Sequence, residues 1–228
     1  MTRSVLFDVE TTGLSPELGD RVIEIAALEL VNDIPTGKEF YVLIDPERDI
    51  PDESTRVHGF TRAMLEGKPK FAEIIDSFLA FIENDPLIAH NANFDFSFLN
   101  MELQRVGRVP LDMGRMVDTL EIARKQYTGM ANSLDALCRR LNIDLSERTT
   151  HNALLDCRLL AQVYVELTGG RQRGLGLVME EEFLMMRGVR YTAPEHRKMI
   201  RVVPSSEELA CHALFVKEKL KNPLWETF

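Results

Sequence analysis

Two acidic residues near the start of the chain, Asp8 and Glu10, are the first that indicate chemistry. They lie in residues 6–14, which have the pattern of a strand that runs into a Thr-Thr-Gly turn. Because side chains alternate across a strand, both carboxylates point to the same face. Two negative charges on one face favour a positive partner, and hard divalent cations prefer oxygen ligands. The alternative is an edge strand with two solvated acids, so the prediction depends on further ligands downstream.

Two later segments supply those candidate ligands. Asp95 follows a His-Asn-Ala-Asn-Phe run where a strand ends and a helix begins, and α/β proteins place their sites at this edge of the sheet. His151 and Asp156 open a later helix, about a turn and a half apart, so they can face one pocket. On local grounds Asp95 could instead cap its helix. His151 and Asp156 could likewise be a surface histidine and an acid that suits the helix dipole.

The elements that must position these residues form a mixed sheet flanked by helices. Strands are predicted at 3–9, 21–33, 38–45, 86–90 and 116–118, with a turn at 34–37, and helices at 71–83, 94–106, 119–126, 134–141 and 152–167. Residues 46–70 are expected to be more irregular, with one short helix capped by Thr61. The short connections between the first three strands imply antiparallel neighbours. The later alternation of strands and helices is typical of the α/β or α+β classes.

The chain beyond residue 168 has a different pattern from the body. Residues 169–176 are rich in glycine and arginine and are typical of a linker. A strand is predicted at 199–203, and then a helix at 206–220 that is capped by Ser205 or Ser206. This helix has one apolar stripe, formed by Leu209, Ala213, Val216 and Leu220.

Charge and composition limit the classes of function. The chain has 228 residues and a formal net charge of -9, which suits one sizeable domain with an appendage. The negative charge lies in residues 1–168, where 17 Lys and Arg accompany 28 Asp and Glu, whereas residues 169–228 hold 10 and 8. An acidic body is a poor non-specific binder of nucleic acid, because that affinity comes largely from neutralising phosphates. We therefore expect any action on nucleic acid to depend on metals or on a partner that holds the protein there.

Three features predict a cytoplasmic protein with no membrane contact. The first three residues lead straight into a strand, so no signal peptide is expected. No apolar run approaches the roughly 20 residues that span a bilayer. The three cysteines are too few and too far apart for a disulfide framework or a zinc site, at Cys138, Cys157 and Cys211.

Taken together, three segments resemble the exonuclease motifs of the DEDDh 3'→5' exonucleases. They are Phe-Asp-Val-Glu-Thr-Thr-Gly-Leu at 7–14, His-Asn-Ala-Asn-Phe-Asp at 90–95 and His-Asn-Ala-Leu-Leu-Asp at 151–156. Within that family, residues 132–138, 148–170 and 201–225 resemble the proofreading subunits of bacterial DNA polymerase III. The resemblance implies an α/β, ribonuclease H-like fold with a mixed five-stranded sheet. It also implies an exonuclease domain at 1–170, a linker at 171–198 and a polymerase-binding tail at 199–228.

The resemblance further implies hydrolysis of the terminal phosphodiester with two divalent metal ions, Mg²⁺ or Mn²⁺. Asp8 is expected to bridge both ions, Glu10 and Asp156 to complete the site of the attacking water, and Asp95 to hold the second ion largely through water. His151 is expected to be the general base, since histidine ordinarily titrates near neutrality.

Contacts with the single-stranded 3' DNA end are expected from the turn after the acids and from two aromatic rings. Backbone donors and an apolar wedge are predicted at Thr11, Thr12, Gly13 and Leu14. His58 and Phe94 resemble family positions near the terminal nucleotide, where a flat ring can stack on any base. Core packing remains the alternative for Phe94.

The tail is expected to bind replication partners. Residues 172–177 resemble a sliding-clamp-binding motif, with anchors at Gln172, Leu175 and Leu177. The helix stripe, including Leu209, Val216 and Leu220, and the pair Leu224 and Trp225 are expected to dock on the catalytic alpha subunit of DNA polymerase III. A small third core subunit on the body remains open. Two alternatives also remain open: a free-standing exonuclease acting on RNA or short oligonucleotides, and a non-catalytic bridging subunit.

Overall fold

The computed structural model describes residues 2–148, 150–169 and 204–219. It divides into two units, one within Met1–Leu175 and one within Gly176–Phe228. The expected residues Gln172, Leu175, Leu177, Leu220, Leu224 and Trp225, and the strand predicted at 199–203, lie outside the described residues. None of the described helices is long and apolar enough to cross a membrane.

The body is built on one mixed sheet of five strands in the order β3-β2-β1-β4-β5. The strands are β1 (Arg3–Thr11), β2 (Val22–Val31), β3 (Ile34–Leu43), β4 (Leu87–Ala89) and β5 (Met116–Asp118). β1 pairs antiparallel with β2 and parallel with β4. β2 pairs antiparallel with β3, and β4 pairs parallel with β5. The predicted five-stranded mixed sheet is confirmed.

The turn between β2 and β3 lies earlier than the sequence pattern indicated. Asn32 and Asp33 have φ values of 52° and 67°, the left-handed backbone that a tight two-residue hairpin turn requires and that Asn and Asp adopt most readily. β3 therefore begins at Ile34, and the expected turn at 34–37 is wrong. Pro35 is tolerated because β3 is an edge strand, and a register shift between Leu28 and Leu30 absorbs the extra residues.

Helices cover both faces of the sheet. They are α1 (Asp52–His58), α2 (Arg62–Leu65), α3 (Phe71–Ile82), α4 (Ala92–Arg105), α5 (Thr119–Gln126), α6 (Leu134–Arg140) and α7 (Ala153–Leu167). α3 and α4 pack on one face, where Phe7 and Val9 of β1 are buried. α5, α6 and α7 pack on the other, where Leu6 is buried. Side-chain alternation in β1 therefore assigns Asp8 and Glu10 to the α7 face.

The segment between β3 and α3 contains one helix that the sequence pattern did not predict. The short helix after Thr61 is present as α2, but α1 before it was expected to be irregular. α1 ends at His58 and is capped by Gly59, whose φ of 81° closes the helix in the left-handed conformation. In the second unit, α8 (Ser206–Lys219) begins where expected. Its first turn is capped by Ser205, whose hydroxyl accepts from the Glu208 amide at 3.2 Å.

Candidate active site

The strand β1 delivers its two acids to the cleft and then changes direction. Asp8 pairs with Ala26 and Glu10 with Glu24 across the β1–β2 ladder, and the register shifts between Glu10 and Thr11. Such an irregularity bends the strand directly after the second acid. The turn that follows is thereby separated from the regular sheet, and both carboxylates remain on the face covered by α7.

Asp95 reaches the same place from the opposite face of the sheet. The chain leaves β4 through Asn91, whose φ of 66° starts α4 abruptly. Asp95 lies in the first turn of α4, is 2 % exposed, and accepts a hydrogen bond from the Val9 amide at 3.2 Å. Its carboxylate is thus fixed to the backbone between Asp8 and Glu10. Deeper in α4, Glu102 is 1 % exposed and pairs with Arg21 at 2.6 Å, which secures the helix against the sheet.

The start of α7 brings His151 and Asp156 to the two β1 acids. Asn152 caps the helix by accepting from the Leu155 amide at 3.0 Å. The His151 amide donates to the Val57 carbonyl at 3.1 Å, which ties the preceding loop to α1. One ligand atom each of Glu10, His151 and Asp156 lie within 4.8 Å of one another. This spacing allows one cation to contact all three.

All five residues that the motifs single out line one cavity of about 380 Å³: Asp8, Glu10, Asp95, His151 and Asp156. Four carboxylates and an imidazole form a donor set that suits hard or borderline divalent cations. The imidazole is half exposed, at 50 %, whereas the Asp156 carboxylate is 6 % exposed. The side chains therefore fit the metal ions that the resemblance implies.

The buried carboxylates of the cavity have raised pKa values, so added positive charge would favour their ionised forms. Burial, followed by the neighbouring charges of Glu24, Asp156 and Asp95, raises the pKa of Glu10 to about 8. Burial likewise raises the pKa of Asp95 to about 8, against the opposing effect of its backbone hydrogen bonds. The pKa of Asp8 is raised well above its usual range by burial and then by Asp95 and Glu10. These acids cannot all ionise near neutral pH unless a cation offsets them.

Three further charged residues belong to the site, although the sequence did not predict a role for them. Arg148 forms a fork-like pair with Asp156 and also bonds Asp135 in the first turn of α6. Glu24 is fully buried in β2 and accepts from the Asn152 side chain at 2.9 Å and from the Ala153 amide at 3.0 Å. Glu24 thus caps the N-terminus of α7 from the strand β2 on which that helix packs. A signal was available, since Glu24 and Glu29 are the only charged residues in the apolar strand β2.

The turn after the acids is held by its own side chains. The Thr11 hydroxyl donates to the Gly13 carbonyl at 2.6 Å, and the Thr12 hydroxyl accepts from the Arg21 amide at 3.0 Å. Both threonines are buried, but Leu14 is 86 % exposed. Thr12, Gly13 and Leu14 line a second cavity of about 420 Å³. Of the four turn residues, Leu14 offers a free apolar side chain.

The two rings expected near the terminal nucleotide occupy different environments. His58 is buried, stacks on Phe60 at 5.6 Å, and accepts from the Phe60 amide through Nδ1. Phe94 packs on Phe98 at 4.8 Å and also lines the carboxylate cavity. Phe94 therefore combines core packing with a surface that faces the site.

The fold and the carboxylate cluster define the chain as an exonuclease, and comparison with known families agrees. The family model described as "Exonuclease" matches residues 5–164. Solved exonuclease structures share this fold. The chain matches "Exonuclease X in complex with 5' overhanging duplex DNA" with a TM-score of 0.58 and 24 % identity, covering 74 % of this chain and 91 % of that one. It matches the zinc-bound form of the Escherichia coli ExoI–ssDNA complex with a TM-score of 0.67 and 18 % identity, covering 82 % and 43 %.

The sequence relatives are more specific. The DNA polymerase III subunit epsilon of Rickettsia felis is 43 % identical over 226 residues, covering 96 % of this chain and 98 % of that protein. The subunit of the same name from Escherichia coli K12 is 38 % identical over 238 residues, covering 99 % and 98 %. The chain therefore belongs to the DNA polymerase III epsilon branch of the exonuclease family.

Proposed function

We propose that this chain is the proofreading 3'→5' exonuclease subunit of a replicative DNA polymerase and removes mispaired 3'-terminal nucleotides. The observation that carries the proposal is the convergence of four carboxylates and His151 on one cavity of about 380 Å³. A non-catalytic bridging subunit would not require Glu10, His151 and Asp156 to place ligand atoms within 4.8 Å of one another. The near full-length match to epsilon subunits favours DNA over RNA as the substrate.

Four carboxylates would hold two divalent ions, Mg²⁺ or Mn²⁺. Asp8 lies between the two groups of ligands, since it shares a strand face with Glu10 while Asp95 bonds the adjacent Val9 amide. This position suits a bridging ligand, with Glu10 and Asp156 on one side and Asp95 on the other. When bound, the ions supply positive charge that makes the attacking water more acidic and offsets charge on the phosphate.

His151 would remove the proton from the attacking water. It lies on the loop before α7, and its Nδ1 is 3.6 Å from the Asp156 carboxylate. Its half-exposed ring leaves room for water at the mouth of the cavity, which a general base requires. The hydrogen bond from the His151 backbone amide to the Val57 carbonyl positions the residue without involving either ring nitrogen.

The single-stranded 3' end would enter between the turn and the start of α4. Leu14 would wedge against the last base, while Phe94 at the edge of the carboxylate cavity would stack on it. Thr11 and Thr12 would shape the turn and present backbone groups, and Gly13 would permit close approach. Buried His58 would support this surface from behind. Contacts of this kind do not depend on the identity of the base, which suits removal of any mispaired nucleotide.

The C-terminal region would bind partners while residues 1–170 perform the chemistry. In α8, Leu209, Leu214 and Phe215 are more than half exposed, at 55 %, 61 % and 55 %. Exposed apolar side chains on a helix support docking into a groove of the polymerase alpha subunit. We assign residues 171–198 to a linker with a clamp-binding motif and residues 199–228 to the polymerase-binding tail. A small third core subunit would have to bind the body.

The test is digestion of a 5'-labelled DNA primer with a mispaired or paired 3' end, alongside single-stranded RNA, in Mg²⁺. Asp8→Ala should abolish removal of the terminal nucleotide. Asp76→Asn provides a matched control, because Asp76 is a surface carboxylate paired with Arg108 and remote from the cavity. Undiminished digestion by Asp8→Ala would contradict the assignment of the site. Preference for RNA over DNA would favour the free-standing exonuclease instead.

A further inference from the structure

Arg148 lies inside the cluster of acids rather than at its margin. Its Nε and Nη2 contact the two oxygens of Asp156 at 2.6 and 2.7 Å, and its Nη1 contacts Asp135 at 2.6 Å. The side chain is only 10 % exposed. Among the described residues that line the carboxylate cavity, Arg148 is the only lysine or arginine. It therefore supplies the positive charge that the protein itself brings to this cluster.

The pair between Arg148 and Asp156 uses the same oxygens that a metal ion would need. Both carboxylate oxygens of Asp156 accept from the guanidinium in a bidentate arrangement, the strongest form of this contact. A divalent cation at Asp156 and Glu10 would lie close to the guanidinium and repel it. Binding of the cation therefore requires Arg148 to release at least one of these oxygens.

Arg148 also engages the proposed base. Its Nη2 lies 3.1 Å from the His151 Nδ1. A guanidinium has only donors, so the His151 nitrogen must be the acceptor in this contact. A lone pair that accepts from Arg148 is not free to take a proton from water. The same side chain thus occupies a candidate metal ligand and a candidate catalytic nitrogen.

Asp135 gives Arg148 a second anchor that does not depend on Asp156. It lies in the first turn of α6, and its side chain is 38 % exposed, so it faces the outer part of the cavity. Arg148 itself lies between α6 and α7 and belongs to neither helix. It can therefore keep its bond to Asp135 while its remaining donors turn away from Asp156.

We propose that Arg148 is an exchangeable counterion of the active site. It neutralises Asp156 and covers the His151 nitrogen until a divalent cation takes its place. It then remains on Asp135 and donates to the phosphate of the 3'-terminal nucleotide. This inference rests on the proposed function, because it assumes that Asp156 is a metal ligand and that a nucleotide phosphate enters the cavity.

The decisive measurement is binding of Mn²⁺ without substrate, followed by calorimetry or by the electron paramagnetic resonance signal of the free ion. Arg148→Gln should bind Mn²⁺ about tenfold more tightly than the unaltered protein, the effect of removing one charged hydrogen-bonding competitor. Arg108→Gln is the matched control, since Arg108 also pairs with an aspartate, contacting both oxygens of Asp76 through Nη2 at the surface. It should leave Mn²⁺ affinity unchanged.

A second measurement uses a deoxynucleoside 5'-monophosphate in the presence of saturating Mn²⁺. Arg148→Gln and Asp135→Asn should both weaken nucleotide binding by about tenfold. The first variant removes the donor to the phosphate, and the second removes the carboxylate that holds this donor in place. Asp135→Asn should not tighten Mn²⁺ binding, because Arg148 still occupies Asp156 in that variant. If Arg148→Gln does not fold in chelator, Arg148→Lys serves instead, because it keeps the charge but loses the fork.

The outcomes separate this inference from the proposed function. Saturable Mn²⁺ binding by the unaltered protein, with equal or weaker binding by Arg148→Gln, would overturn the exchange of Arg148 and leave the nuclease assignment standing. Absence of saturable Mn²⁺ binding in the unaltered protein would instead contradict the proposed metal site itself. Tighter Mn²⁺ binding together with unchanged nucleotide affinity would refute the transfer of Arg148 to the phosphate.

Discussion

Replacing Glu10 with glutamine should stabilise this protein when divalent cations are removed by a chelator. The pKa of Glu10 rises from 4.5 to about 8, because of burial and then the charges of Glu24, Asp156 and Asp95. The folded protein therefore keeps a proton that the unfolded chain has released, and stability falls as the pH rises from 4.5 towards 8. At about 1.4 kcal/mol per pH unit, the loss at pH 7 is about 3 kcal/mol. Glutamine has the same shape and escapes this loss.

Thermal unfolding followed by circular dichroism in chelator tests this at two pH values. In a protein of this size about 1 kcal/mol shifts Tm by roughly 2–4 °C, so Glu10→Gln should melt about 6–12 °C higher at pH 7. At pH 5 the difference should fall to about a quarter of this, because pH 5 lies only half a unit above the ordinary pKa of 4.5. Added Mg²⁺ should reduce or reverse the advantage, since Glu10 then serves as a ligand.

Glu29 provides a control of opposite sign on the same strand as Glu24. Hydrogen bonds from Arg3 and then Thr36 lower the pKa of Glu29 to about 2. Its ionised form therefore stabilises the fold above the ordinary pKa of 4.5, and this contribution is lost as the pH falls towards 2. Glu29→Gln should accordingly lower Tm at pH 7. A Tm for Glu10→Gln at or below that of the unaltered protein, in chelator at pH 7, would refute the reasoning.

Three further predictions concern the helix α7, the base and the tail. Glu24→Ala should cost about 1–3 kcal/mol, because it leaves buried donors at the start of α7 unpaired; thermal unfolding measures this, and an unchanged Tm would contradict the capping role. His151→Ala should lower turnover by roughly 10²–10⁴-fold and spare Mn²⁺ affinity; if Mn²⁺ binding collapses instead, His151 is a ligand. Gln172→Ala with Leu175→Ala should weaken retention on clamp-coated beads. Val216→Asp with Trp225→Ala should release the polymerase in pull-downs, while digestion of a free single strand continues.

The sequence and the family resemblance together predicted that the five motif side chains meet, and these five line one cavity. Alternation along β1 fixed the common face of Asp8 and Glu10, and the helix starts fixed the positions of Asp95 and Asp156. Their convergence also required the order of the strands, which the resemblance supplied and the structure has as β3-β2-β1-β4-β5. Regular periodicity and fold topology together explain this success.

The parts that could not be predicted depend on contacts between distant segments. Arg148 and Asp135 are neighbours because the loop after α6 folds back on that helix, and no local pattern encodes that return. Glu24 meets the start of α7 across a separation of 128 residues. The turn at Asn32 and Asp33 was predicted a few residues too late for another reason. The Pro-Thr-Gly run at 35–37 has turn-forming residues, but it lies inside β3, an edge strand that tolerates proline and glycine.

The same contacts explain how a folded protein can hold so many acids close together. Glu24 accepts a hydrogen bond from the buried Ala153 amide at the start of α7, where the helix dipole favours an anion. Arg148 neutralises Asp156. Burial, together with the repulsion that remains, raises the pKa values of Asp8 and Glu10, and burial raises that of Asp95. A cation that binds these three acids stabilises the folded state over the unfolded one. Occupancy of the site and stability of the fold are therefore linked, and substitutions that relieve the repulsion should gain stability at the expense of catalysis.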